Sequence, residues 1–160
     1  MARSREAILA SVRRMGGAER PLPEISIAAA PVADPTARFA EMLAEAGGSC
    51  SRVERAEQVG DALRELPAVD GARRIWSSVA ALASRQPRGA PVVPRDLADL
   101  DVAVAAGAPA VAECGAVWVA PADLLGHAAL FLAEQVVLVV PRASLVDTLH
   151  DAYAALPARP

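Results

Sequence analysis

The sequence predicts an α/β domain with three layers: a mostly parallel sheet carrying helices on both faces. Three observations lead to that expectation. Short apolar runs at Arg73–Trp76, Asp101–Ala106, Gly115–Ala120 and Val136–Val140 are bounded by Gly, Pro or Asp, as strands buried on both faces are. Stretches with helical apolar spacing alternate with those runs, the pattern of a parallel sheet with crossover helices. The chain has 160 residues, 54% hydrophobic and 22% charged, which suits one folded domain and argues against general disorder. A chain of this length buries roughly 68–70% of its unfolded surface, so it needs no disulfide or metal to fold.

The elements follow in order. Ile8, Leu9, Val12 and Met15 recur at helical spacing before Gly16-Gly17, which predicts a helix over residues 4–15. From Gly16 to Pro35 the chain carries Pro21, Pro23 and Pro31 and reads as a connector. The organisation is therefore an N-terminal helix and proline-rich connector over 1–33, then an α/β domain over 34–160. The first helix is expected to stand apart from the body or to pack on a partner. Asp34-Pro35 offers a helix start, with Asp as N-cap and Pro at the first helical position. Phe39, Met42, Leu43 and Ala46 continue it, and Gly47-Gly48 ends it. A short strand is expected around Ser49–Val53. Val59, Leu63 and Leu66 mark the next helix, which Pro67 closes.

After the first apolar run, Ser78–Ser84 reads as a short helix, and Gln86–Pro94 as a proline-rich loop. The last helix is expected to begin near Ser144, because Ser144…Asp147 has the form of a capping box. Leu145, Leu149, Ala152 and Leu156 would line its inner face. There is no internal repeat. Sheets of this type bind ligands at the carboxyl ends of their strands.

Composition removes several function classes. The net charge is −3 with no basic patch, which argues against nucleic-acid binding. All 16 basic residues are arginine, so Schiff-base chemistry and a phosphate-loop lysine are excluded. The absence of asparagine rules out a Cys-His-Asn triad. Cys50 and Cys114, with His127 and His150, are too few to ligate an iron–sulfur cluster or to define a zinc site. The start of the chain lacks the apolar segment of a signal peptide. The apolar stretches are interrupted by Gly107, Pro109 and Glu134, so no membrane span is expected. A cytoplasmic protein is the expectation. The common nucleotide, hydrolase and zinc-protease motifs do not occur.

One constellation stands out: Pro109-Ala110-Val111-Ala112-Glu113-Cys114-Gly115-Ala116-Val117-Trp118-Val119. It places a carboxylate at a small-residue turn before an apolar strand. Glu113 at such a turn suits acid/base or nucleophilic work if it is desolvated. Equally, it suits plain hydrogen bonding to nearby backbone N–H groups. Gly115 allows a ligand close to the backbone. Cys114 is either a reactive thiol or a buried, inert side chain. His127, in Gly126-His127-Ala128, reads as a ligand or as a capping histidine at a turn or helix start. Arg142, just beyond the Val136–Val140 run, suits a carboxylate or phosphate ligand, or a surface salt bridge. Arg73, Arg74 and His150 read as a solvated face. Trp76 and Trp118 read as packing residues.

Asp101–Gly107 followed by Ala110-Val111-Ala112-Glu113-Cys114-Gly115-Ala116-Val117 resembles the signature of the LUD-domain family of lactate utilization proteins. That signature is an apolar strand, then Ala-[Asp/Glu]-Thr-Gly-[Ser/Thr], then another apolar strand. Ser4–Leu9 and Leu132–Pro141 with the final helix are similar to the C type of that family, and the likeness is densest over about residues 97–156. The resemblance implies a NagB/RpiA/CoA transferase-like fold. It also implies a non-redox subunit of a cytoplasmic L-lactate oxidation system. The expected partners are an iron–sulfur subunit and a cysteine-rich subunit, which hold the clusters; no cofactor is expected on this chain. Glu113-Cys114-Gly115 has the form of the Glu-x-Gly in which one class of CoA transferases carries its nucleophile. By that analogy Glu113 would be catalytic, with Cys114, Gly115, Ala116, His127 and Arg142 around a small carboxylate.

This chain departs from the family pattern at three places. Cys114 replaces threonine, Ala116 replaces a hydroxyl residue, and Ala133-Glu134-Gln135 lacks the proline frequent in that loop. The first two changes remove hydrogen-bond donors from the implied pocket. Two other functions therefore stand beside the subunit: a separate enzyme on small carboxylates or sugar phosphates that uses Glu113, and a regulatory or interaction protein with a degenerate pocket.

Overall fold

A computed structural model describes residues 2–15, 32–85, 90–120 and 123–156. The fold mixes helices with a small parallel sheet, in keeping with an α/β class. Helix α1 spans Ala2–Met15. Its apolar residues Ile8, Leu9, Val12 and Met15 are all exposed, and none joins a core cluster. The proline-rich connector lies almost wholly outside the described residues, as do the first four residues of the Gln86–Pro94 loop.

Helix α2 (Pro35–Glu45) begins as its sequence dictates. The Asp34 carboxylate accepts from the N–H groups of Thr36 and Ala37, at 3.0 and 3.1 Å. Those donors would otherwise have no partner in the first turn. Gly47 follows the last turn with φ +85, a conformation open to glycine. The chain then runs through 48–53 without forming the expected strand. These residues are exposed, and among the described residues no neighbouring strand offers a ladder. Helix α3 (Val59–Glu65) is followed by a single helical turn, α4 (Pro67–Asp70), with Leu66 extended between them. Pro67 ends one helix and starts the next, because it fits only the first turn.

Strand β1 (Ile75–Ser77) pairs in parallel with β2 (Val102–Ala106), which pairs in parallel with β5 (Gln135–Val139). This three-stranded sheet holds the core. From one face Ile75, Val102 and Val104 pack with Leu63, Val69 and Leu82. From the other, Ala103 packs with Leu97, Leu100 and Ala129, and Ala129 belongs to helix α5 (Leu124–Leu132). Ser78–Ser84 is not helical; Arg85 instead folds back and bridges Ile75.

The third apolar run corrects the expectation of a single sheet. Only Ala116–Val117 of Gly115–Ala120 forms a strand, β4, and it lies in a second sheet. There β3 (Ala110–Val111) is central, antiparallel to β4 and parallel to β6 (Leu145–Val146). The physical cause is chain reversal. Residues 107–109 lead directly from β2 into β3, and the turn at 112–115 is too short for the crossover that a parallel neighbour requires. The final helix is also corrected. α6 spans Leu149–Ala155 with Thr148 as its N-cap, while Leu145 lies in β6. Thr148 Oγ1 accepts from Asp151 N, and Asp151 Oδ2 accepts from Thr148 N, both at 3.1 Å. The capping box therefore sits four residues later than Ser144, whose hydroxyl instead donates to Pro141 O.

Candidate functional site

Residues 112–115 form the turn that joins β3 to β4. Four backbone or side-chain bonds fix it. Ala112 N donates to Val146 O (2.8 Å), Glu113 N to Asp147 O (3.1 Å), and Gly115 N to Val111 O (2.9 Å). Leu149 N donates to Glu113 Oε1 at 2.7 Å, across 36 residues of sequence. Leu149 is the first residue of α6, so its N–H has no partner within the helix. Glu113 thus caps α6, beside the cap that Thr148 supplies. A carboxylate is favoured there by both the free N–H groups and the helix dipole.

Gly115 has φ +68. A Cβ at this position would lie 2.9 Å from Leu43 N and 3.1 Å from the Met42 carbonyl carbon. Helix α2 therefore packs its backbone against the turn, and glycine is required for both conformation and space. Glycine was expected to admit a ligand; the space it leaves is filled by this chain's own helix. Asp147, which receives Glu113 N, also accepts from Val32 N at 3.2 Å through its side chain. The motif is a junction where α2, β3, β6 and α6 meet.

Glu113 and Cys114 are both exposed, and Cys114 is neither buried nor disulfide-bonded. Beside the turn lies an apolar cleft of about 100 Å³ between the β3–β4 hairpin and α6. Val111, Ala116, Trp118, Leu149 and Tyr153 are among its walls, whereas Glu113 and Cys114 are not. Ala116 meets the cleft with a methyl group and offers it no hydroxyl.

His127 and Arg142 are not gathered into this turn. His127 lies in α5, whose N-cap is Asp123; its Nδ1 is 2.8 Å from Asp123 O and its ring is exposed. α5 packs on the helical turn Pro94–Leu97. Arg142 is exposed in the helical turn Arg142–Ser144 between β5 and β6. Among the described residues no hydrogen bond or ion pair links His127 or Arg142 to the turn.

A second polar cluster was not anticipated. Asp101 Oδ2 accepts from Arg73 N and Arg74 N, each at 2.7 Å. Those bonds, Arg74 N first, hold its carboxyl below the usual range, aided by the two guanidinium charges. Asp96 is likewise lowered, by the N–H groups of Val92 and Val93. Arg74 is not on a solvated face: it is 6% exposed, pairs with Asp99 and donates through Nη2 to Asp96 O at 2.6 Å. The sequence signal for it was three aspartates within six residues ahead of a buried strand, facing an arginine pair before another strand. The cluster ties the starts of β1 and β2 together.

Among the described residues no three His, Cys, Asp or Glu side chains gather where they could hold a metal ion, and no helix is long and apolar enough to cross a membrane. No protein-family profile, no curated protein and no solved structure matches the chain.

Proposed function

We propose that this chain is a non-redox subunit of an L-lactate oxidation system, acting with iron–sulfur and cysteine-rich partner subunits in the cytoplasm. The LUD-type resemblance over residues 97–156 supports the assignment. The described residues of that span form β2, the β3–β4 hairpin, α5, β5, β6 and α6. The three-layer, NagB/RpiA/CoA transferase-like architecture belongs to this proposal; helices on both faces of the parallel sheet support it.

Within that reading Glu113 is a positioning residue. The observation that carries this role is the bond from Leu149 N to Glu113 Oε1. One carboxylate oxygen is committed to the helix cap, and the adjoining cleft is apolar and excludes the carboxylate. A nucleophile needs the opposite: an oxygen aimed into a cavity that holds substrate. The LUD motif here would serve to fix α6 and α2 around the hairpin, so that the surface they build can meet the partner subunits.

The test is reconstitution. The chain is co-expressed with an iron–sulfur protein and a cysteine-rich protein of a lactate-oxidising system, and dye reduction by L-lactate is followed with and without it. Co-purification, with activity that falls at least several-fold when the chain is omitted, is the expected result. Failure to co-purify, with full activity in its absence, would overturn the assignment.

A further inference from the structure

Among the described residues the parallel sheet ends at β5, and no strand lies on its outer edge. Among the described residues β5 pairs only with β2. Gln135 N donates to Asp101 O, and Gly107 N donates to Val139 O. In a parallel ladder, alternate residues turn both backbone groups toward the same neighbour. Residues 135, 137 and 139 therefore face β2, while Val136, Leu138 and Val140 direct their N–H and C=O groups outward. The strand Gln135-Val136-Val137-Leu138-Val139 carries no charge or proline, the residues that usually blunt a free edge. Val136 is 45% exposed, and Phe131 and Leu132, just ahead in the chain, are 86% and 44% exposed.

We propose that this edge binds the same edge of a second copy of this chain, in antiparallel pairing about a two-fold axis at Leu138. Hydrogen-bonding phase and charge select this arrangement together. With Leu138 opposite Leu138, Val136 stands opposite Val140, so every outward-facing residue meets another outward-facing one. The same register brings Glu134 of one copy opposite Arg142 of the other. Both are exposed, and neither has an ion-pair partner among the described residues. A two-fold axis repeats the pair at both ends of the interface. Two three-stranded sheets become one continuous sheet, and the apolar surface around Val136 is covered. This inference is independent of the lactate reading.

The full chain is measured by light scattering and sedimentation at micromolar concentration, with circular dichroism to verify folding. The wild type is expected at twice the 16.5 kDa chain mass. Val136→Lys places a cation on the open edge and is expected to give a folded monomer. Glu134→Arg alone, or Arg142→Glu alone, sets like charges opposite one another and is expected to weaken the dimer about tenfold. The double variant Glu134→Arg/Arg142→Glu is expected to restore it. A monomeric wild type would overturn the proposal. So would a dimer that survives Val136→Lys, or single-variant losses that the double variant does not repair.

Discussion

The two sheets of this molecule are held by different physics. In the parallel sheet, Val102–Ala105 are buried in succession, and Ile75 is fully enclosed. Burial of that kind is worth about 25 cal/mol per Å² of apolar surface and does not depend on single bonds. In the second sheet each strand has two residues. Only β3 is buried there, β4 and β6 are partly exposed, and individual groups hold the region: the Glu113 carboxylate on α6, the Thr148–Asp151 box and the close contact of Gly115 with α2. A region built on burial spreads the effect of a substitution over its core. A region built on single bonds answers locally.

The sharpest contrast comes from two glycine- and core-directed substitutions. Ile75→Ala should cost about 3–4 kcal/mol of global stability, the range for removing a large aliphatic side chain from a core. Amide exchange should then accelerate in both sheets. Gly115→Ala should cost less, about 2 kcal/mol, from the positive φ and the approach of the α2 backbone. Its exchange should accelerate in β3, β4 and α6 while β2 stays protected. Equal loosening of both sheets by Gly115→Ala would erase the distinction.

The difference also explains what the sequence disclosed. The parallel strands were legible because their burial leaves long apolar runs between Gly, Pro and Asp. The helix over 35–45 was legible because Asp34-Pro35 is a local signal. The second sheet was not. Gly115–Ala120 has a strand's composition, but where it pairs depends on the reversal at 107–109 and on the hairpin turn, which are properties of the backbone path. The capping box was placed at Ser144 although Thr148…Asp151 has the same spacing. Choosing between them requires knowing that Leu145–Val146 pairs with β3. Glu113 was legible as unusual, and one of its two readings was backbone hydrogen bonding. The partner, Leu149 N, is too distant in sequence to be named from it. Arg74 looked solvated because arginine usually is, and only the fold shows Asp96 and Asp99 around it.

A smaller effect is expected at the aspartate cluster, and it should be confined to acid. The Asp101 carboxyl is held below its ordinary value when folded. Its contribution is therefore fully present above the unfolded value of about 3.9 and is lost as pH falls through the lower folded value. Asp101→Asn should flatten the decline of stability below about pH 4 while changing neutral stability by about 1 kcal/mol or less. An unchanged acid limb in urea titrations at several pH values would show that the parallel sheet does not draw on this carboxylate.

The most direct test of the account is a pair of substitutions at Glu113, read by thermal melting and by L-lactate-dependent dye reduction in the reconstituted system. Glu113→Gln keeps an oxygen that can accept from Leu149 N, whereas Glu113→Ala keeps none. A positioning role predicts that Glu113→Gln retains both the melting temperature and the activity. Glu113→Ala should lose about 1 kcal/mol, or roughly 2–4 °C, with activity falling only as folded protein is lost. Abolished lactate oxidation in Glu113→Gln at an unchanged melting temperature would contradict the account and make Glu113 a catalytic residue.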